Sequence, residues 1–577
     1  MAVEQDMLVM RDWNLAKMVH DGELVSMEMD TYKDLAMIAK IGAEGVHQQN
    51  CLRDLHRQLP RSSIEMPPPI KIPLKIMPGD PPEIKLTDQC VMLPHVLFAH
   101  IFHTYKNVWE GRFVPSTEQL NAFWDAQEGN PQLDHEDLRD RSDLRDRCVP
   151  LRMHSDGVVA TGRGRSWSKM LDVFSWGPVL GWGKTDTMLY FIWAVWEHQV
   201  AKLAEVRTYD VFARIMRWSF TALWHGKWPT HDHNGIEYPA GTRAYELAHD
   251  TVHLADGYFA TLWVIESDLD FLAVFWNFPR TNAGCPCAFC ECTNLAGTMP
   301  WNDFRLAPMA PWMSLIRNVA YMKANPHLFP NPMYDIPAVS PMTVCIDWMH
   351  TKYLGTDQYF LGSVLYVLCT FLMPSAKPEE NCAKIWQDVK TEYTARSTPS
   401  RYRVLKMNMF SSGSGGYPQL KGKAAAIQHL GLILRDIFAR WCTPGDLFHK
   451  AILGALDSSA RLEEILYVYK DQFKFPDGVG SEFRDLCLKH VKQQQELKDF
   501  AGHRIFNVTF KHHWLIHAGQ RGMFQNPRMG WCFQGEDLMM KIRTVTHPCT
   551  YGIQPEAVHQ KLLDRMIRNM DTAFTTV

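Results

Sequence analysis

Four stretches of the chain carry residue types and spacings that could do chemistry. The first is Asp156 in RMHSDGVVATGRGRSW, a carboxylate just after a short β-favouring run and followed at once by Gly157. An acid there suits a metal ligand held at a sheet edge, although a bare Asp-Gly pair also spells an ordinary turn. Arg163, Arg165 and Lys169 follow, interleaved with Gly162 and Gly164. Cations and closely approaching backbone beside a carboxylate suit a phosphodiester; a solvated basic loop is the plainer reading. The second stretch is TLWVIESDLDFLAVF, where an apolar run ends in Asp268 and Asp270. Acids at that point serve equally as metal ligands or as caps of the helix that follows. The third, CPCAFCEC, gathers Cys285, Cys287, Cys290 and Cys292. Cys287-x-x-Cys290 lets two thiolates meet one tetrahedral zinc, with Cys285 and Cys292 as further candidates. Downstream, Asp347-x-x-His350 sets a carboxylate and an imidazole one helical turn apart. That pair can complete or support a metal site, or form a common helix-surface contact. The fourth is Glu536 in GMFQNPRMGWCFQGEDLMMKIR, at the opening of an amphipathic helix, as a cap or as a third carboxylate. Just upstream, His513 and His517 share a helical face and read as core or substrate-facing histidines before metal ligands.

The elements that must position these residues are legible from periodicity. Residues 149–155, 171–176 and 259–266 are β-favouring runs, and 188–196 is a strand or a buried helix. With a helical pattern over 200–218, they make a mixed α/β section. Helical patterns then return at 357–372, 421–441, 462–472, 482–500, 536–543 and 555–570. A Gly/Ser loop at 411–417 interrupts them with linker chemistry. The implied organisation is a helical N-terminal segment over 1–59, a Pro-rich linker of extended polyproline-type backbone over 60–82, and a helical lead-in over 83–147. The first part of an α/β core with the cysteines spans 148–298, a helical insertion 299–505, and the C-terminal part of the core 506–577.

Composition sets the outer bounds. A chain of 577 residues, 46% hydrophobic and 21% charged, buries a large core without needing disulfides or metals to fold. Sixty basic against 63 acidic side chains leave a net charge of −3, which excludes an overall basic nucleic-acid binder but not a local basic groove. The start, MAVEQDMLVM, has no signal-peptide character, so the 14 cysteines read as reduced and the protein as intracellular. No apolar run reaches the roughly 20 residues of a membrane span. No Walker-type phosphate loop, nucleophile elbow or kinase signature is present.

Taken in order, these segments resemble the cut-and-paste DNA transposases of the CACTA type and their Kyakuja–Dileera–Zisupton relatives. VPLRMHSDGV with GRGRSWSKMLDVFSW is similar to the family's first-aspartate region, and VIESDLDF to its second. Cys287-x-x-Cys290 and IDWMHTKYLGTDQYFLGSVL match its two paired motifs, and HWLIHAGQRGMFQNPRMGWCFQGEDLMMKI the end of its core. The resemblance implies a ribonuclease-H-like mixed-sheet catalytic core with a large, mainly helical insertion. It implies Asp156, Asp268 and Glu536 as a Mg²⁺- (or Mn²⁺-) binding catalytic triad, with Asp270 the alternative second acid. Cys287, Cys290, Asp347 and His350 would form a Zn²⁺ site, and Arg163, Arg165 and Lys169 would touch the DNA backbone. The implied activity is metal-dependent DNA cleavage and strand transfer, in the nucleus, on transposon ends and target DNA. No membrane is involved, and a homo-oligomer is left open. The alternative is a domesticated or decayed transposase that acts as a non-catalytic DNA-binding or scaffold protein. An amino-terminal DNA-binding zinc finger is not evident.

Overall fold

The computed structural model describes residues 66–77, 83–161, 169–203, 207–295, 299–304, 310–411, 416–501, 504–550 and 558–576. The N-terminal segment 1–59, Arg163 and Arg165 lie outside the described residues. The architecture below belongs to the compact unit Pro67–Val577.

Continuous apolar runs make the central strands. The described strands are β1 (Ile70–Ile76), β2 (Lys85–Val91), β3 (Cys148–Thr161), β4 (Lys169–Pro178), β5 (Tyr190–Trp196) and β6 (Phe259–Ser267). Every residue of β5 (YFIWAVW) and β6 (FATLWVIES) is buried, as expected of strands covered on both faces. The sequence left 188–196 open between strand and buried helix; its bulky aromatic and β-branched content fits the pleat. The main sheet has the order β5-β4-β3-β6. β3, β4 and β5 form an antiparallel meander, and β6 joins β3 in parallel. The fold is therefore mixed α/β.

Two readings of the leading segments need correction. Part of the Pro-rich stretch is a strand rather than linker: β1 pairs antiparallel with β2. Ile72, Leu74 and Ile76 are buried at every second position, and Pro73 is tolerated because β1 has only one strand neighbour. The lead-in over 83–147 accordingly opens with β2 before its helices begin.

Those helices are α1 (Pro94–Thr104) and α2 (Thr117–Ala126). α3 (Thr208–His225) packs on β6 and supplies part of the crossover that a parallel strand requires. It starts later than the apolar pattern suggests and stops at Gly226, whose left-handed backbone (φ 64°) closes the helix. α4 (Leu269–Val274) follows β6 directly. The chain then touches the sheet once more, where the Cys345 N–H donates to the Ile265 carbonyl at 2.8 Å.

Beyond it lie α5 (Asp357–Val367), α6 (Pro378–Ala395), α7 (Ala424–Trp441), α8 (Leu447–Val468), α9 (Asp477–Ala501) and α10 (Phe510–Arg521). Leu361, Leu365, Ile427, Leu430, Leu434 and Leu456 share one apolar core there. The pattern at 462–472 is only the end of α8. α6 was not anticipated, although Ile385, Val389 and Tyr393 are buried at four-residue spacing behind a first-turn proline. Finally α11 (Phe533–Cys549) lies on β3, and α12 (Val558–Thr575) packs against β5 and α11. Among the described residues no helix is long and apolar enough to cross a membrane.

Candidate active site

Asp156 is not in a turn. β3 continues through it to Thr161, and Asp156 stands opposite Val173 of β4. The parallel register pairs His154 with Glu266 and Ser155 with Ser267. One further step brings Asp156 alongside Asp268, which leaves the end of β6. Alternation along β3 puts Arg152, His154 and Asp156 on one face. On that face Arg152 makes a buried ion pair with Glu266 at 3.1 Å. There too α11 comes down so closely that a Cβ on Gly535 would sit 2.0 Å from His154 Nε2. Glu536, the next residue, is thereby delivered to the site. On the opposite face Trp276 Nε1–H donates to Ser155 Oγ at 3.0 Å, and Ser267 Oγ–H to the Ser155 carbonyl at 2.6 Å, locking β3 to β6.

Asp268 has two roles open to it at once. Its carboxylate accepts the Phe271 N–H at 2.7 Å and so caps α4, as the cap reading foresaw. Burial pushes its carboxyl above the usual range, while the capping hydrogen bond works against the rise. Asp270 instead faces outward, with a side chain 91% exposed and 3.9 Å from Arg280. Asp156 is buried, and its carboxyl is raised well above the ordinary range by that burial and then by the charges of Asp268 and Glu536. Acids remote in sequence are therefore brought to one place.

Asp347 and His350 belong to this same place. His350 Nδ1–H donates to Asp347 Oδ2 at 2.6 Å, and His350 Nε2 lies 3.4 Å from Glu536 Oε1. Burial alone would lower the imidazole pKa; hydrogen bonds to Asp347 and Glu536 and the charge of Asp156 overturn this and raise it to about 10. Asp347 Oδ1 also accepts the Cys532 N–H at 2.9 Å, tying the approach of α11 to the same carboxylate. His350 stands in a wide π-type turn, Met349–Thr356, a geometry frequent at functional sites.

The single zinc set of Cys287, Cys290, Asp347 and His350 is thus corrected: the structure divides it between two groups. One is Cys287, Cys290, Cys292 and His513, all buried, with ligand atoms within 4.8 Å of one another. The other is Asp347, His350 and Cys532, equally close-set. Either could hold a metal ion. The three carboxylates Asp156, Asp268 and Glu536 are spread more widely than these groups. Cys290 Sγ is 3.3 Å from His513 Nε2, which is 3.1 Å from His517 Nε2. The histidines read as core or substrate-facing thus face the thiols, because α10 returns against the cysteine loop after some two hundred residues (513 − 290 = 223). Cys285 is exposed and outside the group. Burial opposes ionisation of Cys287, but hydrogen bonds from Cys290 and Cys292 outweigh it and hold the thiol well below its usual range.

Lys169 is exposed at the start of β4. Sequence reasoning gave no role to His154 and Gly535, although both lie within the quoted motifs, or to Lys511; only the meeting of distant elements reveals them. No protein-family model matches the chain, and no curated protein is similar to it.

Proposed function

We propose that the protein is a DNA transposase of the Asp-Asp-Glu type, with a ribonuclease-H-like core, that cleaves and transfers phosphodiesters with the help of divalent cations. The observation that carries this reading is the gathering of Asp156, Asp268 and Glu536 at one end of the β3–β6 pair. The mixed sheet, with one acid on β3, a second just past the end of the parallel neighbour β6 and the third from a helix lying on it, supports the core assignment. Three carboxylates are hard oxygen donors of the kind Mg²⁺ takes. The Asp156 carboxyl is raised first by its burial and then by the charges of Asp268 and Glu536, which is consistent with acids that face one another.

Asp156, Asp268 and Glu536 would hold the ions, which supply Lewis-acid stabilisation of attacking and leaving oxygens when bound. The side chains of this chain do the rest. His350, held by Asp347, orients Glu536, and Gly535 lets α11 approach near enough for that contact. In the first reaction the oxygen of water bonds to phosphorus, the P–O3′ bond breaks, and the departing 3′ oxygen takes up a proton. In the second, that 3′-hydroxyl loses its proton and bonds to a target phosphorus, whose own 3′ oxygen leaves protonated. Lys169 and, by sequence, Arg163 and Arg165 contact the backbone. The buried cluster of Cys287, Cys290, Cys292 and His513 has the donors of a closed tetrahedral Zn²⁺ site, which ties α10 to the core. DNA in the nucleus is the partner this chemistry needs.

The decisive test incubates the protein with Mg²⁺ and supercoiled DNA carrying candidate ends, beside Asp156→Asn and Glu536→Gln. Wild type nicks and joins while both variants are inert; equal nicking by all three removes the assignment.

A further inference from the structure

Lys511, the second residue of α10, is a cation at the acid site that neither the triad nor the thiol cluster uses. Its ammonium donates to the Leu354 carbonyl at 2.9 Å. That carbonyl is available because Leu354 leaves helical geometry inside the wide turn Met349–Thr356 (φ −89°, ψ 17°). Gly355, next along, makes room for the lysine stem: a Cβ there would lie 2.6 Å from Lys511 Cδ and 2.8 Å from the His350 carbonyl. One irregular turn therefore carries His350 to Glu536 and fixes Lys511 near Asp268.

The side chain is half-buried, and it feels the charges of Asp347, Asp268 and Asp270. Yet among the described residues no carboxylate pairs with it directly, and burial lowers its pKa. A partly desolvated ammonium held by a single carbonyl is costly. Buried Lys352, by contrast, reaches both Asp357 and Glu463, at 2.8 and 3.0 Å. With one N–H given to Leu354, Lys511 has two N–H donors to spare beside acids that must admit an anionic strand.

We propose that Lys511 contacts the scissile phosphate, giving its spare N–H donors to a non-bridging oxygen while the Leu354 carbonyl holds it in place. This rests on the phosphodiester reading above and names a further residue touching the substrate.

The test measures binding of end-bearing duplex DNA without added Mg²⁺ and without chelator, which would strip the thiol cluster of its ion, as a function of KCl, for wild type, Lys511→Met and Lys511→Arg. Loss of one phosphate contact flattens the slope of log K against log[salt] by about 0.9 in Lys511→Met, and Lys511→Arg restores it. A duplex with a neutral methylphosphonate at the scissile position probes the same contact in the unaltered protein. It binds wild type more weakly than ordinary DNA, and Lys511→Met binds both alike. An unchanged slope, or a methylphosphonate penalty that persists in Lys511→Met, overturns the proposal. So does a variant that only melts earlier and keeps the wild-type slope. If Lys511→Met does not fold, Lys511→Gln takes its place under the same criteria. Inert Asp156→Asn beside an unchanged Lys511 slope sinks the lysine alone; no DNA binding by wild type sinks the transposase reading as well.

Discussion

The acid site and the thiol–imidazole cluster lie in the same fold and are built on opposite principles. At the acid site Asp268, Glu536 and His350 are all partly open to solvent, and the donors are oxygens spread apart. In the cluster Cys287, Cys290, Cys292 and His513 are all buried, and sulfur and nitrogen converge tightly. An open set of hard donors can exchange ions and admit a substrate, whereas a closed set of soft ones has room only for its metal. The difference also shows in what holds each together. A strand register and a glycine contact set the acids, while His513, returning on a distant helix with His517 against it, closes the cluster.

Four variants would break or sharpen that contrast, from the largest effect down. Asp156→Asn should abolish strand cleavage, by at least about a thousandfold in single-turnover rate, while thermal melting stays near wild type. A fall in melting temperature as large as the loss of rate implies would mean that Asp156 is structural. Cys287→Ser combined with Cys290→Ser should show the reverse signature. Zinc measured by elemental analysis should disappear and the unfolding midpoint should drop by roughly 5–10 °C; retained zinc would refute the cluster. Gly535→Ala separates the two centres. Its new methyl must push α11 off His154, so cleavage should fall about 10- to 100-fold, with zinc content unaltered.

The smallest effect concerns the far side of the sheet. Asp172 of β4 is buried against the Tyr209 hydroxyl, and burial raises its carboxyl to about 6 despite that hydrogen bond. A folded-state value above the unfolded one means that the folded protein binds the proton more tightly. The stability this contributes is complete below about pH 4 and is lost as pH rises through about 6. Asp172→Asn keeps the side-chain shape and removes the ionisation, so stability between pH 4 and 7 should flatten, with a gain on the order of 1–2 kcal/mol at neutral pH. Cleavage should not change. Urea titrations across that range would decide it, and an unaltered slope would show that Asp172 does not titrate there.

How much of this was legible beforehand follows from what each feature depends on. β3, β4 and β6 could be read because apolar runs and their flanking residues are local signals. Asp268 and Glu536 could be singled out because each ends or opens such an element, and Asp156 because it follows the apolar run 149–155, although β3 continues through it. β1 was hidden by its prolines, although Ile70, Ile72, Leu74 and Ile76 alternate as a strand should. The expected zinc set falls into two groups for another reason. Asp347-x-x-His350 has the spacing of a metal pair, and spacing alone does not tell which distant thiols or acids it meets. The structure hands that pair to Glu536 and gives the cysteines His513 instead. Lys511 carries no motif, and its interest comes from a carbonyl freed by irregular backbone at Leu354, which periodicity does not register.

The acids of the site are made at very different times. Asp156 and Asp268 emerge well before Glu536, which follows Asp268 by 268 residues (536 − 268). At about 5–20 residues per second, a ribosome needs roughly 13–54 s to cover that distance. Throughout that interval β3 and β6 can already pair, while the cradle lacks its last arm. A chain halted between residues 268 and 536 therefore holds Asp156 and Asp268 without Glu536, so an unfinished copy lacks the carboxylate that meets His350.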